Sequence, residues 1–289
     1  MHFPMIAHGR WWRVARAALV VLSRASLLVI AVMILFPESW PGAPTLGNPL
    51  RLARVFTTWC LLPELAAWVI GRVFTGTCAV AHGTLGLERL HERVEIPCAS
   101  VQHLAPWTVP LPGGGVSLRL GSGRWFHWGL QIADPPALAE ALADGGAPDE
   151  VRRAARNPAA IYARSTGLWR RWPDHPAFKF VAFALVPTIP VFRLHQWVAY
   201  GGTFGEYYTY GLRAYLLAFA IFWVSMIVHL VVFAAVVRAV LEPLVIGSAW
   251  AAPATTSGVR RAVEAVARLV FYGGVVAFLA LLYLQSRGV

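Results

Sequence analysis

The stretch Pro187 to Arg213, PTIPVFRLHQWVAYGGTFGEYYTYGLR, carries the densest set of reactive groups in an otherwise apolar chain. Arg193, His195 and Gln196 stand where an apolar run ends. Glu206, Tyr207, Tyr208, Tyr210 and Arg213 follow in a segment punctuated by glycines. A guanidinium binds anions, an imidazole moves protons near neutral pH, and phenols donate hydrogen bonds. Arg193 or Arg213 can pair with Glu206. One reading is a site for an anionic group such as a lipid phosphate. It would be bound through Arg193, His195, Gln196, Glu206, Tyr207, Tyr210 and Arg213, with His195 or Glu206 as acid or base. The other is an interfacial belt of aromatic and arginine residues around one internal ion pair.

A second constellation is intramembrane. Glu64 and His229 each interrupt a long apolar run. A Glu–His pair can relay protons, or it can join two helices as polar glue worth about 0.6 kcal/mol. Cys60, Cys78 and Cys98 show no CxxC spacing and read as small buried hydrophobes. His82, His91 and His103 have no ligand spacing, and no nucleotide loop, HExxH or GxSxG motif is present. No metal or cofactor is expected.

The elements that must hold these residues are set by composition. The chain of 289 residues is 57% hydrophobic and 13% charged, with a mean hydropathy of +0.57. A soluble chain carries roughly 25% charged residues, so this one cannot cover a water-facing surface. Five apolar runs are long enough to span a bilayer: about Ala17–Phe36, Val55–Val73, Phe178–Trp197, Ala214–Val237 and Leu269–Leu284. No small-residue cleavage site follows Phe36, so the first run reads as an uncleaved span. Pro187 and Pro190 are expected to kink or break the third.

The rest divides into four parts. Residues 1–74 read as an interfacial anchor (Arg10, Trp11, Trp12, Arg13, Arg16) followed by two spans. Residues 75–147 lose the apolar runs and alternate instead. Strands are expected at Thr84–Leu90, Arg93–Pro97, Val101–Pro110, Val116–Leu120 and Arg124–Ile132, with a hairpin at Gly121-Ser122-Gly123. A helix is expected from Asp134-Pro135-Pro136 to Gly145-Gly146. Residues 148–175 form a basic amphipathic connector bearing Arg152, Arg153, Arg156, Arg164, Arg170 and Arg171. Those arginines can mark topology or touch an anionic leaflet, at about 1 kcal/mol per basic residue near the surface. Residues 176–289 hold the last three spans.

The phrase VEIPCASVQHLAPW, with Glu95, Ile96, Pro97, Ser100 and Val101 at an "I-P" step and the following "S-V" step, resembles bacterial pleckstrin-homology-like (PH-like) domains of membrane proteins. The resemblance covers about a quarter of the chain and implies a seven-stranded domain that binds proteins or lipids without catalysis. The flanking spans resemble a proteobacterial inner-membrane family.

Net charge is +11, from 25 Lys+Arg against 14 Asp+Glu. With the N-terminus in the cytoplasm, the outer face would hold only Arg51, Arg54, Arg193, Arg213 and Arg287, as the positive-inside bias requires. No basic domain with interleaved aromatics points to nucleic acid. The expectation is an α-helical polytopic protein of the bacterial inner membrane with an inserted α+β PH-like cytoplasmic domain. Its expected role is a non-enzymatic adaptor or accessory subunit, with anionic lipids and a membrane-protein partner as candidate ligands. The alternative is a lipid-handling enzyme or transporter using Arg193–Arg213.

Overall fold

The computed structural model of the chain describes residues 1–36, 49–90, 92–167 and 174–287. It divides into two compact units. The first comprises Met1–Ser23, Leu62–Trp169 and Glu242–Val263 and is built on one antiparallel sheet of seven strands. These are β1 (His2–Gly9), β2 (Thr75–Ala81), β3 (Thr84–Arg89), β4 (Glu92–Pro97), β5 (Val101–Pro106), β6 (Gly115–Leu120) and β7 (Trp125–Ile132). Their order is β4-β3-β2-β1-β7-β6-β5.

The five strands read from the sequence are present. So is the hairpin at Gly123, which adopts φ 78°, and so is the closing helix α4 (Pro135–Asp144). The Asp134 carboxylate caps α4, accepting from the Ala137 amide at 3.0 Å. Two strands were not expected. Residues 2–9, read as part of an interfacial anchor, form the middle strand. β1 pairs with β2 on one side, Met5 opposite Gly76, and with β7 on the other, Met5 opposite Ile132. Met5 and Ala7 point into the core at two-residue spacing. β2 turns into β3 through His82 and Gly83. Both hold positive φ (49° and 74°), the pairing that a tight twisted hairpin requires.

The core packs Leu85, Leu87, Val116, Leu118, Leu130 and Leu138 at zero exposure. It also takes Val151 of α5 (Asp149–Arg153) and the following Ala154. The first part of the connector is therefore a structural layer of the sheet domain, because its apolar residues face the core.

The sheet is joined to helices without linkers. α1 (Arg10–Leu35) starts at the residue after β1, and α3 (Leu62–Val73) ends with only Phe74 before β2. α2 (Pro49–Phe56) runs into α3 through a π-helical turn, making one candidate span, Pro49–Val73. α6 (Pro158–Gly167) buries Tyr162, whose hydroxyl donates to Glu242 at 2.6 Å. Arg260 donates to the same carboxylate oxygen at 2.6 Å.

The second unit comprises Arg24–Leu61, Arg170–Leu241 and Glu264–Val289. Its helices are the C-terminal part of α1, α2, α7 (Leu185–Tyr200), parts of α8 (Gly205–Ala251) and α9 (Thr256–Arg268), and α10 (Gly274–Arg287). One core joins Leu27, Ile30, Leu52, Val228 and Val232; another joins Ala184, Leu230, Phe271 and Val275.

Among the described residues five helical stretches are long and apolar enough to cross a membrane: Arg10–Leu35, Pro49–Val73, Ala177–Tyr200, Gly205–Ala251 and Pro253–Leu281. Only 17–22% of each apolar window is buried inside the protein. Side chains such as Leu216, Leu217 and Leu281 point outward more than half exposed. That surface is paid for only where the surrounding solvent is itself apolar. The chain is a membrane protein carrying a separate antiparallel sheet.

The proline-rich third span is helical over Leu185–Tyr200, with Pro187 and Pro190 inside. The irregular part precedes them: a π-helical turn at Ala177–Ala182, then a turn before α7. α8 is 47 residues long, against the roughly 20 that a bilayer core needs. It is interrupted at Gly211 (φ 85°, ψ 174°) and carries Pro243.

Candidate functional site

The Pro187–Arg213 stretch folds as a helix end, a tight turn and a helix start. Gly201 closes α7 in the left-handed region, φ 73°. Gln196 is fully buried and Glu206 nearly so. The Gln196 amide Nε2 donates to the Glu206 carboxylate at 2.6 Å, and the Glu206 backbone N–H donates to Gln196 Oε1 at 3.1 Å. This exchange satisfies an orphan amide in the first turn of α8 together with a buried carboxylate.

The expected pairing of Glu206 with Arg193 or Arg213 is corrected by that geometry. Both arginines are exposed, and neither has an ion-pair partner among the described residues. His195 is half-buried in aromatic packing, with its ring 4.8 Å from Phe222 and 6.3 Å from Tyr200. Tyr207, Tyr208 and Tyr210 are exposed. Arg193 does reach a cleft of about 300 Å³ lined also by Ile189, Phe192, Phe204, Tyr215 and Phe219. Within the stretch, then, Gln196 and Glu206 form one structural pair, while Arg193 stands at the rim of an aromatic cleft.

Glu64 and His229 fall in different units. Glu64 acts electrostatically on Arg16 of α1. Nδ1 of His229 contacts the Ser225 carbonyl one turn back on its own helix at 2.7 Å, which fixes the proton on that nitrogen.

Of the connector arginines, Arg152 pairs with Asp144 at 2.9 Å and Arg164 with Asp134 at 3.4 Å. Arg153 and Arg156 point outward, exposed and without an ion-pair partner among the described residues. Arg170 and Arg171 lie outside the described residues.

Two groupings were invisible in the sequence. In the first unit, Trp107 lies flat against the sheet where Gly115 and Gly129 leave room. A Cβ at either would come within 2.9 Å of its ring. His8 stacks on Trp107, and the Arg13 guanidinium lies over the same ring at 4.8 Å. Arg16 donates to the Ala67 carbonyl at 3.0 Å and to Gln131 Oε1 at 2.5 Å. His8 is fully buried, and neither ring nitrogen has a hydrogen-bond partner in another described residue. Burial first, then the charges of Arg16, Arg13 and Arg89, lowers its pKa to about 4, so the ring is neutral at physiological pH.

In the second unit, Asp174, Lys179, Arg238, Glu264 and Arg268 gather around one small cavity. They come from separated stretches of the chain, and only folding brings them together.

Among the described residues no group of His, Cys, Asp or Glu is arranged to hold a metal ion. The cysteines are free and buried, and desolvation pushes the Cys78 thiol up to about 12. It stays protonated and unreactive. No family model, curated protein or solved structure matches the chain.

Proposed function

We propose that the protein is a non-enzymatic membrane adaptor of the bacterial inner membrane whose PH-like sheet domain rests on the anionic cytoplasmic leaflet. The observation that carries the leaflet contact is the outward face of residues 149–156. Val151 and Ala154 are buried in the sheet core while Arg153 and Arg156 project away from it with no acidic partner among the described residues. Two free arginines near an anionic surface contribute about 2 kcal/mol. The direct joins of β1 to α1 and of α3 to β2 keep the domain at the membrane without a flexible tether. Seven antiparallel strands followed by a closing helix support the PH-like reading. The excess of arginine supports a cytoplasmic N-terminus.

A second reading has one observation in its favour. The aromatic cleft with Arg193 at its rim is large enough to take an acyl chain beside a bound anionic group, as a lipid-handling protein would require.

Amide hydrogen exchange of the full chain in nanodiscs separates these readings. Residues 149–167 are expected to exchange more slowly with phosphatidylglycerol present than in phosphatidylcholine alone. High salt and the double change R153Q/R156Q should each abolish the difference. Equal exchange in both lipids sinks the leaflet contact and leaves a protein partner as the ligand of the domain. Lipid-dependent protection confined to residues around Arg193 favours the second reading.

A further inference from the structure

Among the described residues, three cations and two carboxylates meet in the second unit. Arg268 holds Asp174 through Nε and Nη2 at 2.6–3.2 Å. Arg238 holds Glu264 through both terminal nitrogens at 2.7 and 3.2 Å. Each is a two-point contact that fixes the guanidinium plane. Lys179 is left over. Its ammonium lies 4.4 Å from the Phe271 ring centroid and 5.5 Å from that of Phe180. No carboxylate is within ion-pair distance of it among the described residues. Together these groups line a cavity of about 20 Å³, room for one water or one ligand oxygen.

The place of the cluster along the chain is equally telling. Lys179 opens the candidate span Ala177–Tyr200, Arg238 follows the apolar run of α8, and Arg268 immediately precedes the last apolar run. The ends of apolar runs lie at headgroup depth. Two π-helical turns, Ala177–Ala182 and Leu269–Gly273, supply Lys179 and Phe271. Such turns re-aim side chains that a regular helix would point elsewhere. The Arg238 side chain remains 44% exposed, so the cavity is reachable past it.

We propose that this cluster receives one phosphate group, donated by an anionic phospholipid headgroup or by free phosphate. Lys179 meets a phosphate oxygen in the cavity, and Arg238 meets a second oxygen at the mouth. The carboxylates hold the two arginines in place, and Lys179, with no ion-pair partner among the described residues, supplies the excess positive charge. The site shares no residue with the Arg153–Arg156 face, so either can fail without the other.

Lys179 is the only lysine in the sequence. An uncharged amine-acylating ester therefore modifies Lys179 and the α-amino group alone, and the latter serves as the internal reference. The full chain is labelled in nanodiscs of phosphatidylcholine, of phosphatidylcholine with phosphatidylglycerol, and of phosphatidylcholine with added inorganic phosphate. Acylation of Lys179 is followed by peptide mass spectrometry. Several-fold protection by phosphatidylglycerol is expected and should persist in R153Q/R156Q. Protection by inorganic phosphate alone would support the site and assign the group to solution. Equal rates in all three media overturn the proposal. So does protection that R238Q leaves intact, because Lys179 would then be shielded without the cluster. Should R238Q fail to fold, the wild-type comparison still decides.

Discussion

Glu206 and His8 are both buried polar groups, and the fold treats them in opposite ways. The Glu206 carboxylate accepts from Gln196 Nε2 and its backbone N–H donates back to Gln196 Oε1, whereas neither His8 ring nitrogen has a partner in another described residue and burial keeps the ring neutral. The difference has a pH signature. The folded pKa of His8 is about 4, below the ordinary value of about 6.5 in an unfolded chain. Between those values the unfolded chain binds the extra proton, so stability rises with pH across that window. It is fully present above about 6.5 and is lost as the pH falls toward 4, by about 3 kcal/mol in total. Thermal unfolding of the purified protein over this range should therefore show a fall in Tm that His8→Leu, which has nothing to protonate, largely removes. An equal fall in both proteins would mean that other groups set the acid limit. Sequence reading found Glu206 and Gln196 because costly polar residues in apolar surroundings are conspicuous one by one. It did not find Glu206's partner, nor His8. The neighbours of His8 are Arg13, Arg16, Arg89 and Trp107, three separate stretches with no common spacing.

At the scale of elements, strong local signals were legible and long-range ones were not. Apolar runs gave all five candidate spans, and the alternation of Val116, Leu118 and Leu120 gave a strand. The Asp-Pro-Pro start and Gly-Gly stop gave α4. β2 was missed because TGTCAVA is small and weakly alternating and its turn is His-Gly, not Asn-Gly. β1 was missed because its partners begin more than sixty residues later, beyond two spans. That strand also marks the weak point of the domain. Without it β2 and β7 become open edges, and the core loses Met5 and Ala7. Residues 75–167 expressed alone should be rapidly digested by protease, and Ala7→Asp in the full chain should have the same effect. A buried charge with no partner costs several kcal/mol, enough to unfold a domain of ordinary stability. A protease-resistant 75–167 fragment would show that the middle strand is dispensable.

For the molecule as a whole, the β1–β2 pairing decides the crossing order. β1 leads straight into α1, and α3 leads straight into β2. Because the two strands lie side by side, two crossings by the first two candidate spans would start and finish on the same face, the one that carries the sheet. We propose that Ala177–Tyr200 then takes the chain across and that α8 brings it back, each being long and apolar enough to do so. The grouping of Glu242–Val263 with the sheet in one compact unit agrees with that return. That the first two candidate spans begin and end on one face follows from strand pairing alone, whichever face is cytoplasmic; under the proposed function, the arginine bias marks the sheet face as the cytoplasmic one. Both parts are testable with single cysteines, since Cys60, Cys78 and Cys98 are buried and give little background. Ser122 lies exposed in the β6–β7 hairpin. Gly202 follows the left-handed Gly201, and a side chain added there meets nothing within 4 Å. A membrane-impermeant maleimide should label Gly202→Cys in right-side-out vesicles and Ser122→Cys only in inverted ones. Labelling of both from one face would mean that the third span does not cross. Exchange of the two patterns would keep the crossing order and reverse the orientation, placing Arg153 and Arg156 against the outer leaflet.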